Sequence, residues 1–82
     1  MNTTVHKRSV VIGGHKTSVS LEEAFWRGLQ EVAQGRGMAV ARLVEGIDKT
    51  RGSHNLSSAI RLFLLQHYRT QAQQLTATRD AA

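Results

Sequence analysis

Lys16-Thr17-Ser18-Val19-Ser20-Leu21 runs directly into Glu22-Glu23. Alternation puts Thr17, Val19 and Leu21 on one face of a strand and Lys16, Ser18 and Ser20 on the other. A strand this short is not stable alone, and even a two-stranded ribbon is marginal in water. It needs a neighbour, and an antiparallel copy of itself is the simplest one. Such pairing buries the Val19 and Leu21 face and turns a polar face outward. A two-stranded ribbon of that kind fits the major groove of double-stranded DNA.

Upstream, Ser9-Val10-Val11-Ile12 reads as a second short strand, and Gly13-Gly14 is a two-residue hairpin turn signal. A hairpin is expected over 8–21, preceded by a flexible polar arm, 1–7. Downstream, Ser20-Leu21-Glu22-Glu23 fits a capping box in which Ser20 accepts a backbone N–H and Glu23 reaches back. The helix that follows carries Phe25, Trp26, Leu29, Val32 and Ala33 on one stripe, and Gly35-Arg36-Gly37 ends it. A second helix over about 38–50 turns Val40, Leu43, Val44 and Ile47 inward.

Asn55 is the expected cap of a third helix reaching about Gln74, with Leu56, Ile60, Phe63, Leu64 and Tyr68 on one face. Leu62 and Leu65 make its middle apolar nearly all round, which predicts burial on two sides, within the subunit and against a partner. The tail, 75–82, is expected to be disordered. The sum is β-β-α-α-α in one domain over 8–74, an α+β fold that is mainly helical.

The chain has 82 residues, no cysteine, no proline and a net charge of +5. A core of this size is modest, and oligomerisation often completes one. No disulfide or thiolate site is available. No apolar run approaches membrane-span length, so a soluble, cytoplasmic protein is expected. The charge is uneven: residues 1–21 carry +3, residues 22–50 carry −1 and residues 51–82 carry +3. A basic ribbon is what a phosphate-binding surface requires, although a solvated basic surface has the same composition.

His6, His15, His54 and His67 are not placed at i, i+4 to one another and have no cysteine beside them, so no metal is expected. No nucleophile is paired with a base by motif, and Gly13-Gly14 alone makes a turn rather than a phosphate cradle. The reading is therefore not an enzyme, and no cofactor is implied.

The basic amphipathic strand, the helix entry Thr17-Ser18-Val19-Ser20-Leu21-Glu22-Glu23, the first-helix residues Leu29, Val32 and Ala33, the turn residue Gly37 and then Val40 together resemble the ribbon-helix-helix family of bacterial DNA-binding proteins, the MetJ/Arc type. With the strand at 9–12 and Phe25-Trp26, the chain is similar to a subgroup of short uncharacterised bacterial members that have an added strand and a C-terminal helix. The resemblance implies an intertwined homodimer whose paired strands enter the major groove. It also implies that Lys16, Ser18 and Ser20 face base edges. The start of the second helix, Gly37-Met38-Ala39, would offer backbone N–H groups to a phosphate. Many DNA-reading members carry Arg, Asn or Gln at the outward positions, and here two of three are serines.

Lys7, Arg8 and His15 complete the expected DNA-contacting set, with Lys7 and Arg8 on phosphates. Val19, Leu21, Phe25, Trp26 and Phe63 are the expected dimer core. Ser20 has two readings, helix cap or base contact, as does Lys16, base contact or solvated charge. Two functions stand at this point. One is a homodimeric transcriptional regulator. The other is a ribbon-helix-helix interaction module, antitoxin-like, that engages a protein partner through the C-terminal helix.

Overall fold

The computed structural model describes residues 4–52 and 55–81; His54, among the histidines weighed above, lies outside that range. Two strands, β1 (Val5–Ile12) and β2 (His15–Glu22), pair antiparallel as a hairpin. Three helices follow: α1 (Glu23–Gly35), α2 (Val40–Thr50) and α3 (Leu56–Ala81). Gly13 and Gly14 close the hairpin with φ of 55° and 83°, the positive values that a type I′ turn needs at both central residues. The expected β-β-α-α-α order is the observed one.

The hairpin is longer than its apolar residues suggest. β1 starts at Val5, so Lys7 is a strand residue and not part of a flexible arm. The cause is non-local: β2 extends to Glu22 and gives Val5, His6, Lys7 and Arg8 ladder partners at Glu22, Leu21, Ser20 and Val19. That extension also removes the expected capping box. Because β2 stays extended to the edge of α1, Glu22 rather than Ser20 is the N-cap residue, and α1 has no side-chain cap.

Helix α1 ends in a Schellman motif. The N–H groups of Gly37 and Met38 donate to the carbonyls of Gln34 and Ala33, both at 3.0 Å, and Gly37 takes φ of 66°. A side chain at Gly37 would strain that left-handed residue. Asn55 caps α3 as expected, its Oδ1 accepting the Ser58 N–H at 2.8 Å. The end of α3 departs from expectation. The helix continues past Gln74 to Ala81, so the segment from 75 to 81 is helical rather than disordered. Leu75, Ala77, Arg79 and Ala81 favour a helix, and with no Gly or Pro in the segment the backbone has no reason to stop.

One core joins all five elements. Val10, Val19 and Leu21 line the inner face of the hairpin, and Trp26, Leu29, Val32 and Ala33 meet them from α1. Leu43, Val44 and Ile47 of α2 and Ala59, Ile60 and Leu64 of α3 close the other sides. Phe25, Val40 and Phe63 pack at its margin, partly buried. The stripes read from helical periodicity thus meet as one cluster. α3 covers much of what the strand face was expected to bury against a second copy.

Candidate nucleic-acid interface

Cross-strand neighbours in an antiparallel pair share a face. The outward face of the hairpin is therefore built from the pairs Lys7↔Ser20, Ser9↔Ser18 and Val11↔Lys16. Lys7, Ser9, Val11, Lys16 and Ser18 are exposed and Ser20 is half-buried. Among the described residues, neither lysine has a carboxylate within salt-bridge distance. The face presents two free ammonium groups and three hydroxyls on a rigid two-stranded platform. Sequence reasoning placed Lys16, Ser18 and Ser20 here correctly as strand neighbours. It missed Ser9 and Val11, because the alternation in β1 is blurred by the charged Arg8 on the apolar side.

Arg8 lies on the opposite face, across from Val19. Its guanidinium sits over the Trp26 ring, 5.0 Å from the centroid, and donates to Glu23 Oε2 at 3.3 Å. Trp26 in turn donates from Nε1 to the His6 carbonyl at 3.4 Å. Arg8 is thus engaged as a cover on the core, which explains why a cation is tolerated on the inner face. His15 pairs with Ile12 at the hairpin tip, exposed but on the face opposite Lys16.

Gly37 and Met38 fall in the turn before α2, which starts at Val40 rather than at about residue 38, and their N–H groups are spent on the last carbonyls of α1. The N–H groups left for an anion are those of Val40 and Ala41, at a helix start with no side-chain cap.

Three of the residues expected at a dimer core, Val19, Leu21 and Trp26, are buried within the single chain. Phe25 and Phe63 are half-exposed, and each carries a guanidinium: Arg61 stands 5.8 Å from the Phe25 centroid and Arg36 5.3 Å from that of Phe63. Leu62 and Leu65, expected to be buried on two sides, are 52 % and 54 % exposed among the described residues. Tyr68 and Leu75 extend that apolar surface along α3.

Arg61 is the residue that sequence reasoning overlooked. From α3 it donates Nε and Nη2 to Glu22 Oε1 at 3.0 and 2.9 Å, and Nη2 also donates to the Ser20 carbonyl at 3.3 Å. Beside it, Ser57 Oγ accepts the Ser20 N–H at 3.2 Å. Hydrogen bonding to the backbone of Glu22 itself and to Arg61 holds the Glu22 carboxyl below its ordinary value of 4.5. Two turns further along the same face of α3, burial first and then the Glu31 carboxylate at 3.0 Å push the Tyr68 phenol above its usual 10.0. An arginine inside an apolar helical stretch was the available signal for Arg61, but its target is 39 residues away.

A family model described as a ribbon-helix-helix domain matches residues 5–68. Among solved structures, the chain is similar to an uncharacterized protein from Bordetella pertussis Tohama I, with a TM-score of 0.75 and 32 % identity. The match covers 89 % of this chain and 62 % of that one, so the chain spans less than two thirds of its solved relative. No curated protein matches. No helix among the described residues is long and apolar enough to cross a membrane.

Proposed function

The chain belongs to the ribbon-helix-helix family, and from that membership we propose that it is a DNA-binding transcriptional regulator acting as a homodimer. It is not an enzyme and works in the cytoplasm. The observation that carries the reading is the outward hairpin face, where Lys7 and Lys16 are free of carboxylates and flanked by Ser9, Ser18 and Ser20. In the proposed complex the paired β2 strands of the two copies lie in the major groove. Lys16 donates to a purine edge, Ser18 adds a weaker base contact, and Lys7 neutralises a phosphate. The N–H groups of Val40 and Ala41 at the open start of α2 hold a second phosphate. Serine discriminates bases poorly, so affinity comes mainly from the lysines and the backbone. The test is selection from random duplex DNA followed by gel shift at two salt concentrations. Recovery of a preferred sequence, bound more weakly at higher salt, supports the reading, and recovery of none contradicts it.

A second reading, the interaction module, has one observation in its favour. An open apolar groove of about 370 Å³ runs between α1 and α3, lined by Phe25, Gly28, Leu62, Leu64, Leu65 and Tyr68 among others. In that reading the groove takes apolar side chains of a protein partner and the ribbon is bystander surface. A Ser18→Arg variant with unchanged affinity for every duplex would put this reading first.

A further inference from the structure

Among the described residues the sheet has two strands, so β2 has one edge with no strand beside it. The direction of the Ser20 backbone locates that edge. Its N–H and its carbonyl both bond to α3, through Ser57 and Arg61, so both point away from β1. Backbone groups alternate sides along a strand, so those of Ser18 and Lys16 point the same way, while those of Thr17, Val19 and Leu21 face β1. The edge open to an added strand therefore offers Lys16 and Ser18 and stops at Ser20. The stop is braced, because Arg61 is itself fixed by Glu22 and stands over the Phe25 ring.

We infer that α3 sets the register in which a second copy of this chain adds to β2. Lys16 of each copy lies opposite Ser18 of the other, and the two-fold axis passes through Thr17. The inference rests on the homodimer of paired strands proposed above. Every open backbone group on Lys16 and Ser18 is then used, and Ser20 keeps its bonds to α3. A ladder centred on Ser18 would set Ser20 against Lys16 and needs groups that Ser57 and Arg61 already hold. A ladder centred on Lys16 would set two ammonium groups directly opposite, which is destabilising. The Thr17 register avoids both conflicts and keeps the lysines of the two copies diagonal on one outward face.

The chain contains no cysteine, so single-cysteine variants report the register. Thr17→Cys puts the two sulfurs in a non-hydrogen-bonded cross-strand pair with Cα atoms about 4.5 Å apart, within disulfide reach. Ser18→Cys puts them on a diagonal of about 7–8 Å, at or beyond that reach. Mild oxidation is followed on a non-reducing gel, with sedimentation of the reduced proteins alongside. The expected result is covalent dimer from Thr17→Cys and monomer from Ser18→Cys. Adding Ser57→Ala and Arg61→Gln to Ser18→Cys should produce covalent dimer by freeing both backbone groups of Ser20. Preferential cross-linking of Ser18→Cys with Ser57 and Arg61 intact overturns the register and leaves the dimer standing. Failure of both to cross-link in a protein that sediments as a dimer also overturns the register. Reduced proteins that sediment as monomers overturn the dimer reading and the register with it.

Discussion

Arg61, in the second turn of the chain's last helix, grips Glu22 at the junction of strand and first helix, with two donors on one carboxylate oxygen at 3.0 and 2.9 Å. Both side chains are about one third exposed, so the pair acts more as a positional tie than as a large source of stability. It holds α3 against the ribbon edge and stands where the chain passes from strand to helix.

A pH dependence follows from that tie. The Glu22 carboxyl is held below 4.5 by hydrogen bonding to its own backbone and to Arg61. A depressed carboxylate contributes its stability above the unfolded value, and the contribution is lost as pH falls through the lowered folded value. Urea unfolding of the wild type between about pH 7 and about pH 3 should therefore show stability falling on the acid side. Arg61→Gln should flatten that acid limb in part, because the larger contribution, the hydrogen bond to the Glu22 backbone, stays in place. An acid limb of unchanged shape in Arg61→Gln would show that the pair is not formed in solution.

The core closes within one chain, and a pair of leucines tests this. Leu29 is fully buried, so Leu29→Ala should cost about 2–5 kcal/mol. Leu65 is 54 % exposed, so Leu65→Ala should change unfolding of the isolated chain by no more than about 0.5 kcal/mol. Measurements at a concentration where sedimentation shows monomer make the comparison clean. Equal costs at both sites would mean that Leu65 is buried in the folded unit.

Ser20 and Gly37 separate a side-chain cap from a backbone requirement. Ser20 lies in the strand and caps nothing, so Ser20→Ala should stay within about 0.5 kcal/mol of the wild type. Gly37 sits at φ of 66° in the turn after α1, so Gly37→Ala should cost about 1–2 kcal/mol. Thermal unfolding of both variants decides. A loss of about 1 kcal/mol at Ser20 would restore the side-chain cap that the sequence suggested.

Much of the fold was legible because it is written locally. Gly13-Gly14, Gly37 and Asn55 each impose a turn or cap within a few residues, and the helical stripes mark their own buried faces. What escaped depends on pairing across the chain. The first residues of β1 are polar and become a strand only because β2 is there to accept them. Arg8 reads as part of a basic arm until Trp26 and Glu23 are placed beneath and beside it. The outward serines and Lys16 followed from simple alternation, whereas Ser57 and Arg61 could not be tied to Ser20 without the packed position of α3.

On the outward face, Ser18→Arg should be tolerated by the fold, since Ser18 is exposed and opposite the small Ser9. The added guanidinium should tighten binding to duplex DNA and raise its salt dependence by about 0.9 in the log–log slope for each phosphate gained. Circular dichroism checks the fold and titration at several salt concentrations checks the slope.

The central claim is that the hairpin face bearing Lys7 and Lys16 is the surface that meets DNA, with Lys16 at the bases. Its most direct test is the affinity of the wild type, Lys7→Ala and Lys16→Ala for a selected duplex and for random duplex across a salt series. Lys7→Ala is expected to weaken both duplexes alike and to lower the salt slope by about one. Lys16→Ala is expected to weaken the selected duplex more than the random one. Binding left unchanged by both substitutions would contradict the claim.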